Sequence, residues 1–301
     1  MAEFVESNFL MSDGVLLSGL VVKGSIPPQS IVLHLHANSY TNVIYTSYGR
    51  CLSQSDNVVC LLNLRGNGAS GGLKGRVDYT GQLEDDVQQV ILQLAESYPE
   101  VPIVLSGHSG GTAICLRYAD RYKFNEIAGL ILMAPIIQPN PEASRYDMPG
   151  TWFLKLFKRA GGGSRSMPKN KRNQLPKIFV GRIILAWIFP FLRNINTVSF
   201  PRNGDLHEGR TFDFSYKTMK NYFISNYAAV FSRISGPVFI SIGSDDDVTL
   251  PSFINSISDE YISSDSKSEC HILDDVNHIN VVRKSQRKVA SWLVNATVGH
   301  N

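Results

Sequence analysis

The chain has 301 residues, 43% of them hydrophobic and 18% charged. These values exclude a disordered chain, a coiled coil and a collagen-like repeat, and they suit two domains or one large core carrying an insertion. The net charge of +3 is too small to argue for a nucleic-acid partner, which needs basic side chains gathered on one face.

The N-terminal MAEFVESNF places Glu3 and Glu6 where a secretory signal would be basic and then apolar, so a cytoplasmic protein is expected. Two β-rich runs, FVESNFLM and VLLSGLVV, come first. IVLHLHA, VVCLLNL, PIVLSG, AGLILMA, PVFISIG and CHILDDV follow as near-continuous apolar segments, the pattern of strands buried on both faces of a parallel sheet. Helical spacing fills the intervals: Leu83, Val87, Val90, Ile91 and Leu94 share a face before Pro99, and 112–122 and 281–294 also form helices. The fold class is therefore α/β: a mostly parallel eight-stranded sheet, helices on both faces, and an antiparallel N-terminal edge.

The alternation stops near Pro139 and resumes near Pro237, too long a gap for an ordinary connection. The chain divides into a first core part (1–138), an inserted helical cap (139–235) and a second core part (236–301). From Met148 to Gly204 the cap has eleven basic residues and no acidic one, Lys169, Lys171 and Arg172 among them, a strong regional asymmetry. Within it, IFVGRIILAWIFPFL is apolar almost all round, and such a helix is expected to be buried in protein or lipid. At about 15 residues, broken by Gly181, Arg182 and Pro190, it is short for a bilayer span. Contact between this basic cap and an anionic membrane surface is the expectation. The four cysteines (Cys51, Cys60, Cys115, Cys270) form no CxxC pair, so neither a zinc site nor a disulfide framework is predicted.

Two segments match the G-x-S-x-G pattern, 107–111 and 68–72. A nucleophile elbow needs a strand directly before the serine and a helix directly after. Ser109 has PIVLSG before it and TAICLRYAD after it, whereas Ser70 runs into Leu73-Lys74-Gly75, so Ser109 is the candidate nucleophile. A serine hydroxyl needs a neighbouring imidazole, and that imidazole needs a carboxylate. Of the seven histidines, His34 and His36 share one strand, His271 lies within another, His207 is in the cap and His300 in the tail. His278 follows CHILDDV and precedes a helix, which puts it at the same sheet edge as Ser109. Asp245, Asp246 and Asp247 all end a strand between the two, and Asp275 is a further candidate.

These pieces, LHLHAN, NLRGNGASGG, GHSGG, PVFISIGSDDDVTLP and LDDVNHIN, resemble the α/β-hydrolase superfamily, and within it the capped monoacylglycerol lipase, lysophospholipase and serine aminopeptidase-like group. The resemblance spans almost the whole chain except the cap. It favours Asp246 as the acid by a Gly-x-x-Asp count from Gly243, while a count back from Pro251 permits Asp247. It implies an oxyanion hole from the N–H groups of Gly110 and Asn38, with Ala37 standing where the family usually has glycine. It further implies cofactor-free, metal-free hydrolysis of a carboxylic ester, the ester of an acyl lipid such as a monoacylglycerol or lysophospholipid. Thioesterase, amidase or peptidase, C–C hydrolase or lyase, and non-catalytic binding readings share the same residues.

Overall fold

The computed structural model describes residues 2–24, 27–137, 140, 142–145, 176–202, 209–224, 226–262, 265 and 267–297. Eight strands form one sheet in the order β1-β2-β4-β3-β5-β6-β10-β11. They are β1 (Glu3–Leu10), β2 (Leu16–Lys23), β3 (Ser30–Leu35), β4 (Asn57–Leu62), β5 (Ile103–His108), β6 (Gly129–Met133), β10 (Val238–Gly243) and β11 (Glu269–Leu273). β1 pairs antiparallel with β2 and β2 with β4, and the other pairings are parallel. Every residue of β3, β4, β5, β6 and β10 is buried, which is why those runs show no polar alternation. β11, at the open edge, is only half-buried.

Side-chain alternation divides the core in two. Ile31, Leu33 and Leu35 of β3 join Leu83, Val87, Val90, Ile91 and Leu94 of helix α2 (Gln82–Ser97) and Ile114 and Tyr118 of α3 (Gly110–Tyr122) on one face. Val32 packs on the other, with Tyr48 and Leu52 of α1 (Thr46–Ser53) and with Trp292 and Leu293 of the C-terminal helix. Each such Leu, Ile or Val stabilises the fold by about 1.5–3 kcal/mol relative to exposure. Burial among neighbours this distant in sequence is what holds a helix such as α2 in place, since helical propensity contributes little by itself.

Between β6 and β10 the described residues contain α4 (Val180–Ile188), α5 (Tyr216–Met219) and α6 (Tyr227–Phe231). They also contain a small antiparallel sheet of β7 (Lys177–Ile178), β8 (Asn196–Ser199) and β9 (Asp213–Ser215). Sequence periodicity predicts only helices here, because strands of two to four residues are too short to display alternation. This insertion is tied to loops of the main sheet: Ser215 N–H donates to Gly75 O (2.9 Å) and Thr211 Oγ1 to Gly66 O (2.6 Å). Helix α4 packs on β8 and fully buries only Ala186. Trp187 is 71% and Phe191 80% exposed, so of the two expected burials, in protein or in lipid, the described protein does not supply the first for these side chains. Among the described residues, α4 packs only through the side that meets β8 and the turn following the helix. His207, Lys169, Lys171, Arg172 and His300 lie outside the described residues. No described helix is long and apolar enough to cross a membrane. All four cysteines are free thiols, with Cys60 and Cys115 buried.

Candidate active site

A tight turn at Ser109 joins β5 to α3. Ser109, between them, has φ 52° and ψ −119°, a sparsely populated conformation that costs on the order of 1–3 kcal/mol. The turn is held by Ser109 N–H donating to Met133 O (3.0 Å) and Thr112 N–H donating to Ser109 O (2.9 Å). The flanking glycines are required by close approach. A Cβ at Gly107 would lie 2.6 Å from the Gly111 carbonyl carbon, and one at Gly111 would lie 2.3 Å from Leu35 O. The result is a half-exposed hydroxyl at the C-terminal end of the sheet, beside the positive end of a 13-residue helix.

Two neighbouring loops complete the constellation. Ser109 Oγ–H donates to His278 Nε2 (2.8 Å) and His278 Nδ1–H donates to Asp246 Oδ2 (2.8 Å). His278 is 6% exposed and Asp246 fully buried. The other carboxylate oxygen, Oδ1, accepts from the Val248 and Thr249 N–H groups (2.9 and 2.8 Å). Burial alone would raise the Asp246 pKa, but the charge and hydrogen bond of His278 and these two amides outweigh it and hold the carboxyl below its usual range. Asp245 is exposed and Asp247 half-exposed; Asp246 is the one of the three that meets His278. Asp275, with φ 57°, sits in the turn after β11. The two loops run so close that a Cβ at Gly243 would lie 1.9 Å from Val276 O.

Asn38 follows β3 and packs against the start of α3, where a Cβ at Gly110 would lie 2.3 Å from Asn38 Oδ1. Asn38 Oδ1 is buried without a hydrogen-bond partner. The left-handed residue of this loop is Ser39 (φ 63°), so a methyl group at Ala37 is accommodated. Ser70 is elsewhere: its Oγ donates to Asn63 O (2.6 Å) and accepts from Ser18 N–H (2.8 Å), which makes it a buried link between strands.

Behind the site lies a layer of buried polar side chains, of which the sequence pointed to the His34 and His36 pair on one strand but not to His108. His34 and His36 are both buried, as is His108. His36 Nε2 accepts from Leu64 N–H (3.1 Å) and its Nδ1–H donates to Ala37 O (2.8 Å). Burial pushes the His36 pKa down to about 4 and that of His108 to about 3. The signal that could have found His108 is its place inside G-x-S-x-G, at the end of a strand buried on both faces. His271 is apart, paired with Glu269 Oε2 (2.7 Å) on the edge strand. Among the described residues no cluster of three or more His, Cys, Asp or Glu side chains is arranged to hold a metal ion.

This architecture, with a serine at the strand-turn-helix elbow after β5 and a carboxylate and a histidine in the loops after β10 and β11, is an α/β-hydrolase fold. A family profile described as "Serine aminopeptidase, S33" matches residues 26–180, more than half of the chain, and the chain belongs to that family. It is 29% identical over 133 residues to the monoglyceride lipase of Rattus norvegicus, a match covering 44% of each chain. The matched stretch is thus less than half of that relative's length. Similar solved structures include a soluble variant of monoglyceride lipase from Saccharomyces cerevisiae in complex with a substrate analog (TM-score 0.66, 19% identity, 98% of this chain and 96% of that one). A thermophilic esterase from Thermogutta terrifontis superposes with TM-score 0.62 at 16% identity, over 98% and 100% of the two chains. At these identities the structures establish the fold alone.

Proposed function

We propose that this protein is a serine hydrolase of carboxylic esters, acting on an acyl lipid such as a monoacylglycerol or lysophospholipid, with residues 139–235 as a cap over the site. The observation that carries this reading is the unbroken hydrogen-bond chain from Ser109 Oγ through His278 to Asp246. The monoglyceride lipases among its relatives support the substrate class.

In the first half-reaction Ser109 Oγ attacks the ester carbonyl carbon while His278 Nε2 takes the hydroxyl proton, and Asp246 stabilises the resulting imidazolium. The carbonyl oxygen becomes an oxyanion received by the Gly110 and Asn38 N–H groups. The tetrahedral intermediate collapses with cleavage of the bond to the alkoxy leaving group, which takes the proton from His278. Water then attacks the acyl-enzyme with His278 as base, releasing the fatty acid and restoring Ser109. No metal or cofactor enters these steps.

The exposed apolar side of α4 and its neighbours supports peripheral contact with an anionic membrane, from which an acyl lipid would be drawn. Trp187 and Phe191 project outward, with exposed Lys177, Arg182 and Arg202 nearby in sequence. The test of the catalytic assignment is Ser109→Ala beside Ser70→Ala. The first is expected to lose fluorophosphonate labelling and at least about 10⁴-fold in ester turnover, and the second to keep both. Labelling of another serine in Ser109→Ala, with turnover retained, would overturn the reading.

A further inference from the structure

We infer that Tyr45 and His108 form a positioning relay that holds the Asn38 loop and the His278 loop in one fixed register. The inference rests on the proposed roles of Ser109, His278 and Asn38 and assigns functions to two residues outside that set.

The relay is built from three buried hydrogen bonds that join four residues in three stretches of chain. Ala37 N–H donates to Tyr45 OH (2.9 Å), Tyr45 OH pairs with His108 Nδ1 (2.9 Å), and His108 Nε2 pairs with the backbone carbonyl of His278 (2.9 Å). The proton positions follow from the partners. A carbonyl only accepts, so His108 carries its proton on Nε2; its Nδ1 is then an acceptor, and Tyr45 must donate to it while accepting from Ala37. The Tyr45 hydroxyl donates once and accepts once, every other atom has a single role, and the direction runs without conflict from the Asn38 loop to the His278 loop.

His108 must stay neutral for this to hold, since a second proton would turn Nδ1 into a donor facing the Tyr45 hydroxyl. Burial, reinforced by His278 with its ring 5.5 Å away, keeps it so. His278 is consequently held at two points, its Nδ1 by Asp246 and its carbonyl by His108, which leaves Nε2 directed at Ser109. On the other side, Ala37 is held through its N–H by Tyr45 and through its carbonyl by His36. That carbonyl and the Asn38 N–H belong to one planar peptide unit, so fixing the first directs the second.

The test uses the full chain, p-nitrophenyl butyrate as substrate and an aryl trifluoromethyl ketone as the probe of tetrahedral-adduct binding. Tyr45→Phe removes one oxygen and is expected to lower kcat 10- to 100-fold with KM within twofold, and to weaken the ketone in parallel. His108→Gln, which keeps a side-chain N–H able to reach the His278 carbonyl, should retain more activity than His108→Leu. The double variant Tyr45→Phe/His108→Leu should be no slower than His108→Leu alone, because the two act as one unit. Ser106→Ala is the control: its hydroxyl bonds His34 and Tyr48 in the same buried layer, so it should lower the Tm yet keep kcat within twofold. If Tyr45→Phe keeps kcat and ketone affinity within twofold, if the double variant multiplies the single losses, or if Ser106→Ala slows turnover as much as Tyr45→Phe, the relay is overturned while the hydrolase reading stands. A wild-type protein that neither hydrolyses esters nor labels with fluorophosphonate overturns both.

Discussion

Acidification from pH 7 to pH 5 is expected to destabilise this protein through histidines that take no part in proton transfer. His36 and His108 are fully buried, with every ring nitrogen already committed, and burial holds their pKa values at about 4 and about 3. In the unfolded chain each titrates near 6.5, so below that pH the unfolded state binds protons that the fold refuses. Stability then falls by about 1.4 kcal/mol per pH unit for each histidine until its folded pKa is reached. By pH 5 each has withdrawn about 2 kcal/mol, roughly 4 kcal/mol for the pair. That is a large share of a typical 5–15 kcal/mol, and His34, also held well below its ordinary value by burial, adds to it. Burial raises the Glu84 and Asp86 pKa values, which acts in the opposite sense, so the assay compares proteins rather than absolute slopes. Urea unfolding of the wild type and of His36→Gln at pH 7, 6 and 5 should show the variant losing about 2 kcal/mol less across the range. Equal losses in the two proteins would refute the argument that buried neutral histidines set the acid limit.

Replacing Asp246 by Asn should lower kcat by about 10⁴-fold, because the amide stabilises the wrong imidazole tautomer, whereas Asp247→Asn should stay within tenfold of wild type; steady-state turnover of both decides between them. Gly243→Ala forces a methyl group to within 1.9 Å of Val276 O, and is expected to destabilise the fold by several kcal/mol or to part the acid and histidine loops with loss of turnover, read by thermal unfolding beside activity. Trp187→Ser/Phe191→Ser should weaken sedimentation with anionic vesicles at least tenfold while hydrolysis of a soluble short ester is unchanged, since each aromatic contributes about 1.5–3 kcal/mol when buried.

The eight strands and the faces of α2 were legible in the sequence because their burial pattern is imposed locally: a strand covered on both sides is apolar throughout, and an amphipathic helix repeats every 3.6 residues. Ser109 could be separated from Ser70 for the same reason, as an elbow is a local strand-to-helix turn with glycines at set positions. The sequence could rank three consecutive aspartates only by their spacing. Burial of the Asp246 side chain depends on the turn closed by Asp246 N–H on Gly243 O (3.1 Å) and on two amides beyond it, a rotation of the chain that spacing does not encode. The apolar run at α4 predicted burial in protein or lipid, yet only tertiary packing decides which faces find a protein partner, and Trp187 and Phe191 stay largely exposed among the described residues. Tyr45 and His108 are 63 residues apart and carry no joint signature in the sequence. Their hydrogen bond exists because the segment after β3 lies over the end of β5, and only the assembled sheet brings those two side chains together.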